Sequence, residues 1–229
     1  MTQATISAIV PAYNEAARIE AVLEAVIGHP LIAEVIVVDD GSSDQTSAVV
    51  ARLEGVRLIT LPENRGKTWA VTVGIEAAKG SHLLLVDADL LGLSEQDLTA
   101  LILPVTQGRA DLSISLRQNA PRLWHWIGID YISGERVMPR ELLLGRIAEM
   151  RRLPRFGLEV YMNSLLIADR ARVAVVGWPG VQSPFKNVKF GLWAGIWADV
   201  KMLRDMMRAV PVWGLAAQII RMRRQRVTA

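Results

Sequence analysis

Four short apolar runs, "ISAIV" (6–10), "EVIVV" (34–38), "VRLIT" (56–60) and "HLLLV" (82–86), are separated by stretches of helical spacing near 14–26, 45–53 and 67–79. Strands with no polar face must be covered on both sides. When such strands alternate with helices, the economical solution is a mainly parallel sheet with helices against each face, here βαβαβαβ, which places the chain in the α/β class. Asn14 is expected to cap the first helix, which Gly28 and Pro30 would end. Ser94 and Asp97 read as a capping box opening a helix to about Gln107, and "DLSISL" (111–116) as a later strand.

Size and composition narrow the field. A chain of 229 residues, 51% of them hydrophobic, buries a sizeable core and most simply forms one domain with a helical extension. It has no cysteine, so disulfide frameworks and thiolate metal sites are excluded. The sequence shows no leader-like start and no uninterrupted apolar stretch of the ~20 residues a spanning helix needs, which sets the expectation of a cytosolic protein. A net charge of +3 is too small to argue for nucleic acid, but acids crowd the first half while "RMRRQR" (221–226) lies near the end.

In open α/β sheets ligands bind outside the carboxyl ends of the strands. The segments there are "PAYNE" (11–15), "DDGSSD" (39–44) and "DADL" (87–90). None carries a dinucleotide fingerprint or a Walker loop, so acids rather than glycines rim the pocket. Carboxylates repel bare phosphate; such a rim must bind hydroxyls and amides, hold a cation, or both. Asp87 and Asp89, two apart, are able to aim at one hard cation such as Mg²⁺ or Mn²⁺, or else to line a solvated turn. Lys67 begins the helix after the third strand, where backbone donors and an ammonium can meet an anion; the other reading is an ordinary exposed lysine.

"AIVPAYNEAARIEAVLEAV", "EVIVVDDGSSDQT", "NRGK" and "LLLVDADLLGL", in that order over about residues 5–93, together resemble the family 2 glycosyltransferases. The resemblance implies a GT-A fold: a mainly parallel central sheet flanked by helices, binding a nucleotide-diphospho-sugar with a divalent cation. It implies that Pro11, Ala12, Tyr13 and Glu15 border base and ribose, that Asp39 contacts the base, and that Asp87 and Asp89 are the D-x-D pair, Asp89 being the direct metal ligand. Asp40 and Gly41 would then shape the turn that presents Asp39.

"YISGERVMPRELL" (131–143) and "PRFGLEVYMN" (154–163) are similar to acceptor-side segments of this family and of the related glucosyl-3-phosphoglycerate synthases. Gly134, Glu135 and Arg136 are expected on a loop facing the sugar, with Pro139 in the first turn of the next helix. Arg136 either binds an acceptor phosphate or pairs with a nearby acid. Glu159 is the candidate catalytic base, an acid in a first helical turn on the acceptor side. Many relatives place a histidine metal ligand in the loop matching 179–191, where this chain has Gln182 and Ser183, so the cation would rely on Asp89, diphosphate and water. Lys186 and Lys189 are candidates for added phosphate contacts.

The organisation expected is a GT-A domain over 1–190, divided into a nucleotide-sugar-binding part (1–116) and an acceptor-side part (117–190), with a helical extension over 191–229. Pro211 should split that extension. Residues 191–209 would pack on the core or on a second subunit. For 212–226, where Trp213, Leu215, Ile219 and Ile220 precede arginines, packing and interfacial membrane binding are both open. The function expected is sugar transfer from a UDP- or GDP-sugar to a hydroxyl or phosphate acceptor, such as a polyprenyl phosphate or a phosphorylated small molecule. A non-catalytic sugar-nucleotide-binding or scaffold protein is the alternative. A nucleotidyltransferase would need a Gly-rich basic first loop in place of "PAYNE".

Overall fold

A computed structural model describes residues 4–154, 157–184 and 212–228. The chain order is β1 (Ile6–Ala12), α1 (Ile19–Val26), β2 (Ile32–Asp39), α2 (Thr46–Val50), β3 (Val56–Thr60), α3 (Lys67–Ala77), β4 (His82–Leu85), α4 (Glu95–Thr106) and β5 (Leu112–Arg117). Then come α5 (Arg122–Ile127), β6 (Arg136–Pro139), α6 (Glu141–Leu144), α7 (Ile147–Met150), α8 (Leu158–Ala168), β7 (Val173–Trp178), α9 (Val212–Arg224) and β8 (Arg226–Val227).

The strands form one eight-stranded sheet in the order β3-β2-β1-β4-β6-β5-β7-β8. Among the described strands β6 alone runs antiparallel, between β4 and β5. The continuous apolar runs are explained by two cores. Ala8 and Val10 of β1 and Val35 and Val37 of β2 face α1 and α4, while Ile9, Ile36 and Val38 face α3 and the later helices. Glu34 ties the first strands together, its Oε1 accepting from Ser7 Oγ and Lys79 N, both at 2.6 Å. Burial alone would raise its pKa, but these hydrogen bonds outweigh burial and lower it.

Two local expectations are corrected. Asn14 does not cap α1: it sits in the left-handed region at φ 55°, its Oδ1 accepts from Ser43 N at 2.9 Å, and the helix begins only at Ile19. Pro139 is the last residue of β6 and not part of a helix. "RVMP" is a strand, too short and too mixed in composition to show a period of two. The Ser94–Asp97 capping box is present as read, with Ser94 N donating to Asp97 Oδ2 at 3.0 Å.

The C-terminal described residues belong to the same fold. Leu215 and Ile219 of α9 pack on the second core, Met222 is fully buried, and Tyr131 Oη donates to Gln218 Oε1 at 2.5 Å. β8 then pairs with β7, Val173 opposite Arg226 and Ala174 opposite Val227. Leu215 and Ile219 thus favour the packing reading of 212–226, while Ile220 of the same helix is 54% exposed. The expectations for Lys186, Lys189 and residues 191–209 lie outside the described residues.

Candidate active site

The carboxyl ends of β1, β2 and β4 open onto a cleft of about 330 Å³ lined by Pro11, Ala12, Tyr13 and Glu15 on one side and Asp40, Lys67, Asp87 and Asp89 on the other. Its two rim loops are laced together. Asn14 N donates to Ser42 Oγ and Glu15 N to Thr46 Oγ1, each at 2.9 Å.

The paired acids after β2 divide the work. Asp39 is buried and turns back on its own loop, accepting from Ser42 N at 3.1 Å and from the hydroxyls of Ser42 and Ser47. Asp40, rather than Asp39, is the one that lines the cleft. Asp40 Oδ1 accepts from Arg65 N at 2.9 Å and Oδ2 from Gly66 N at 2.7 Å, so it fixes the backbone that leads into α3. Gly41 makes this possible: its φ is +67°, and a Cβ there would lie 2.8 Å from Asn64 N. The expected result for Asp39→Asn is a loss of about 1–3 kcal/mol in denaturant unfolding, because two serine hydroxyls lose a charged acceptor. Unchanged stability would contradict this role.

Lys67 is held at the start of α3 with its ammonium between two carboxylates, 2.7 Å from Asp87 Oδ1 and 3.2 Å from Glu159 Oε1. Burial opposes its charge, but Asp87 and Glu159 outweigh that, so its pKa is raised and it is cationic at neutral pH. Glu159 was expected across the cleft from the D-x-D pair. In the structure a single ammonium, that of Lys67, stands between Glu159 and Asp87.

Gly134 presses on this ion pair: a Cβ there would stand 2.7 Å from Lys67 Nζ and 2.9 Å from both Asp87 carboxylate oxygens. Gly134→Ala should keep the fold, because only flexible side-chain ends need move, yet weaken UDP binding in calorimetry by about 1–3 kcal/mol. Unaltered UDP affinity would show that the ion pair has slack.

Glu135 and Arg136 correct the expected loop. Both are fully buried, and Arg136 begins β6. Arg136 donates from Nε to Ser133 O at 2.8 Å, from Nη1 to Asn163 Oδ1 at 2.6 Å and from Nη2 to Tyr131 O at 3.3 Å, which leaves no face for an acceptor phosphate. Burial pulls its pKa down. Glu135 Oε2 accepts from Ser115 Oγ at 2.7 Å and Ser133 Oγ at 2.9 Å and lies 3.5 Å from Arg117 Nε. Burial raises the Glu135 pKa, against the pull of Arg117.

Arg117 is the residue that sequence reasoning missed. It ends β5, reaches Asp130 Oδ2 at 3.3 Å, and donates to the Ser183 hydroxyl. The same rule that drew attention to residues following β1, β2 and β4 would have found it. Gln182 pairs through its backbone with Leu91, two residues past Asp89.

For a divalent cation, Asp87 and Asp89 at the cleft wall would supply two hard oxygen ligands, and the described residues contain no cluster of three metal-binding side chains. That donor set fits Mg²⁺ or Mn²⁺, which commonly take one or two carboxylates and complete their shell with phosphate oxygens and water.

The sequence model described as glycosyl transferase family 2 matches residues 7–153. This chain belongs to that family. Among its relatives is the dolichyl-phosphate beta-glucosyltransferase of Mus musculus, 38% identical over 99 residues, which is 37% of this chain and 31% of the relative. The dodecaprenyl-phosphate galacturonate synthase of Rhizobium johnstonii is 30% identical over 123 residues, 50% of this chain and 36% of the relative. The chain thus spans about a third of the length of the curated relatives it matches. In structure it is similar to glucosyl-3-phosphoglycerate synthase of Mycobacterium tuberculosis in complex with Mn²⁺, UDP-glucose and phosphoglyceric acid. That likeness has a TM-score of 0.67 at 24% identity, covering 90% of this chain and 79% of the other. The fold of this family 2 chain is the GT-A architecture that the sequence resemblance implied.

Proposed function

We propose that this family 2 chain is a glycosyltransferase that moves a sugar from a UDP- or GDP-sugar to a phosphate acceptor, a polyprenyl phosphate before others. The observation that carries the reading is the convergence of Asp87, Asp89 and Lys67 on the cleft walled by Pro11, Ala12, Tyr13 and Glu15, with Glu159 reaching in from a third segment to pair with Lys67. Tyr13, 46% exposed at the rim, offers a ring on which a base can stack, and Glu15 stands next to it for the ribose. Asp39 serves the base from behind, by holding the 42–47 loop in place.

Asp89 and Asp87 would hold Mg²⁺ or Mn²⁺. Bound there, the cation supplies Lewis-acid stabilisation of the departing diphosphate. Lys67 adds a donor for the same anion, aided by the positive end of the α3 dipole. Glu159 keeps the Lys67 ammonium in place, a positioning role rather than that of a base. A phosphate acceptor suits that arrangement, since its oxygen is already anionic and needs no proton removed. The named acceptors of the two curated relatives, dolichyl and dodecaprenyl phosphate, support the choice.

The test is turnover of UDP- and GDP-sugars with a short-chain polyprenyl phosphate and Mn²⁺, following nucleoside diphosphate release. Glu159→Gln should retain about a tenth or more of that turnover. A loss of a thousandfold with donor binding intact would restore Glu159 as a base and favour a hydroxyl acceptor.

A further inference from the structure

α5 has no buried residue, unlike the longer helices around it. Trp124 turns inward, its ring centroid 6.0 Å from that of Tyr131. Leu123 and Trp126, spaced three apart and so on one face, are 55% and 79% exposed. Apolar area left in water forgoes about 25 cal/mol per Å², so a tryptophan and a leucine side by side in solvent mark a contact surface.

Two described segments at that end of the fold carry charges of one sign. Residues 118–129 contain Arg122 and no Asp or Glu, and residues 212–228 contain Arg221, Arg223, Arg224 and Arg226 and again no acid. The two segments meet. A side chain at Gly128, the C-cap of α5, would collide with the Arg226 guanidinium, and Tyr131 bonds to Gln218 of α9. In a chain of net charge +3, five arginines without a carboxylate thus belong to the two segments that flank the exposed pair.

We propose that α5 docks the protein on an anionic phospholipid surface, with Leu123 and Trp126 entering the interfacial layer and Arg122 and Arg226 meeting lipid phosphates. An indole and an isobutyl group rimmed by arginines match the boundary between acyl chains and anionic headgroups. A neutral apolar protein partner would account for Leu123 and Trp126 but not for the five arginines of these two acid-free segments. The contact itself does not rest on the proposed reaction. Its usefulness does, because α5 follows Arg117 and precedes Gly134, and docking there would bring a lipid-borne phosphate toward the cleft.

The experiment is co-sedimentation of the full chain with vesicles of phosphatidylcholine alone and of phosphatidylcholine with phosphatidylglycerol. We expect binding to the anionic vesicles that weakens in high salt, with much less binding to the neutral ones. Leu123→Ser with Trp126→Ser should cut the partition about tenfold or more. Arg122→Gln with Arg226→Gln should lower it by about fivefold per charge and flatten the salt dependence. UDP affinity, measured in parallel, should stay at the wild-type value in all variants. Absence of wild-type binding, or equal binding by the Leu123/Trp126 variant, overturns the proposal. So does a fall in that variant's thermal midpoint or a change in its oligomeric state with vesicle binding retained, since the face would then be covered by the chain itself or by a second copy. Vesicle binding without any sugar transfer would leave this proposal standing and sink the proposed reaction.

Discussion

Asp89→Ala is expected to lower sugar transfer by at least ~10³-fold and to remove the Mn²⁺-dependent part of UDP binding, while leaving the thermal midpoint close to wild type. The reasoning is differential: the cation's charge matters most when the diphosphate leaves, and a preorganised charge at a reacting group is commonly worth several kcal/mol of barrier. Asp87 cannot stand in for it. One of its oxygens is already 2.7 Å from the Lys67 ammonium, so without Asp89 a cation would compete with Lys67 for the remaining carboxylate. Titration of UDP with Mn²⁺, and again in EDTA, reads the effect directly. Transfer at the wild-type rate in EDTA would remove the cation from the account.

Arg136→Leu carries the largest expected effect on stability, about 3 kcal/mol or more. The guanidinium is fully buried and donates to Asn163 Oδ1, Ser133 O and Tyr131 O; in the variant Asn163 Oδ1 and Ser133 O lose that donor, while Tyr131 O keeps Asn163 Nδ2 at 2.9 Å. For a chain of this size a loss of that order lowers the thermal midpoint by about 6 °C or more. An acceptor-phosphate role predicts the opposite pattern, an unchanged midpoint and a raised KM for the acceptor. Calorimetry of the variant beside its acceptor kinetics separates the two.

The half of the molecule that the sequence makes plain is the half made of parallel strands. Strands β1, β2 and β4 bury both faces along their apolar runs, while the edge strand β3 is only partly buried, so the three runs are continuous, and the rule that sites lie at strand carboxyl ends leads straight to Pro11–Glu15, Asp40, Asp87 and Asp89. β6 is hidden because an arginine and a proline bound its four residues. Whether Arg136 faces a ligand or the interior depends on Asn163, 27 residues away, and no local pattern carries that. The same holds for Glu159, whose partner Lys67 is 92 residues distant. Asp39 and Asp40 are chemically identical in sequence, and only the direction of the turn at Gly41 separates the one that holds its own loop from the one that aims α3. In α9 the stripe of Leu215, Ile219 and Met222 is equally suited to a bilayer and to a core; the neighbouring β7 and α8 decide it.

The central claim is that the cleft turns over a nucleotide-sugar. The most direct measurement is mass spectrometry of the lipid product after incubation with UDP- and GDP-sugars, a short-chain polyprenyl phosphate and Mn²⁺. The account predicts a glycosylated polyprenyl phosphate that forms in proportion to released nucleoside diphosphate and disappears in EDTA and in Asp89→Ala. Saturable UDP-sugar binding, with neither product nor diphosphate release for any donor, would contradict it and make the chain a sugar-nucleotide-binding module.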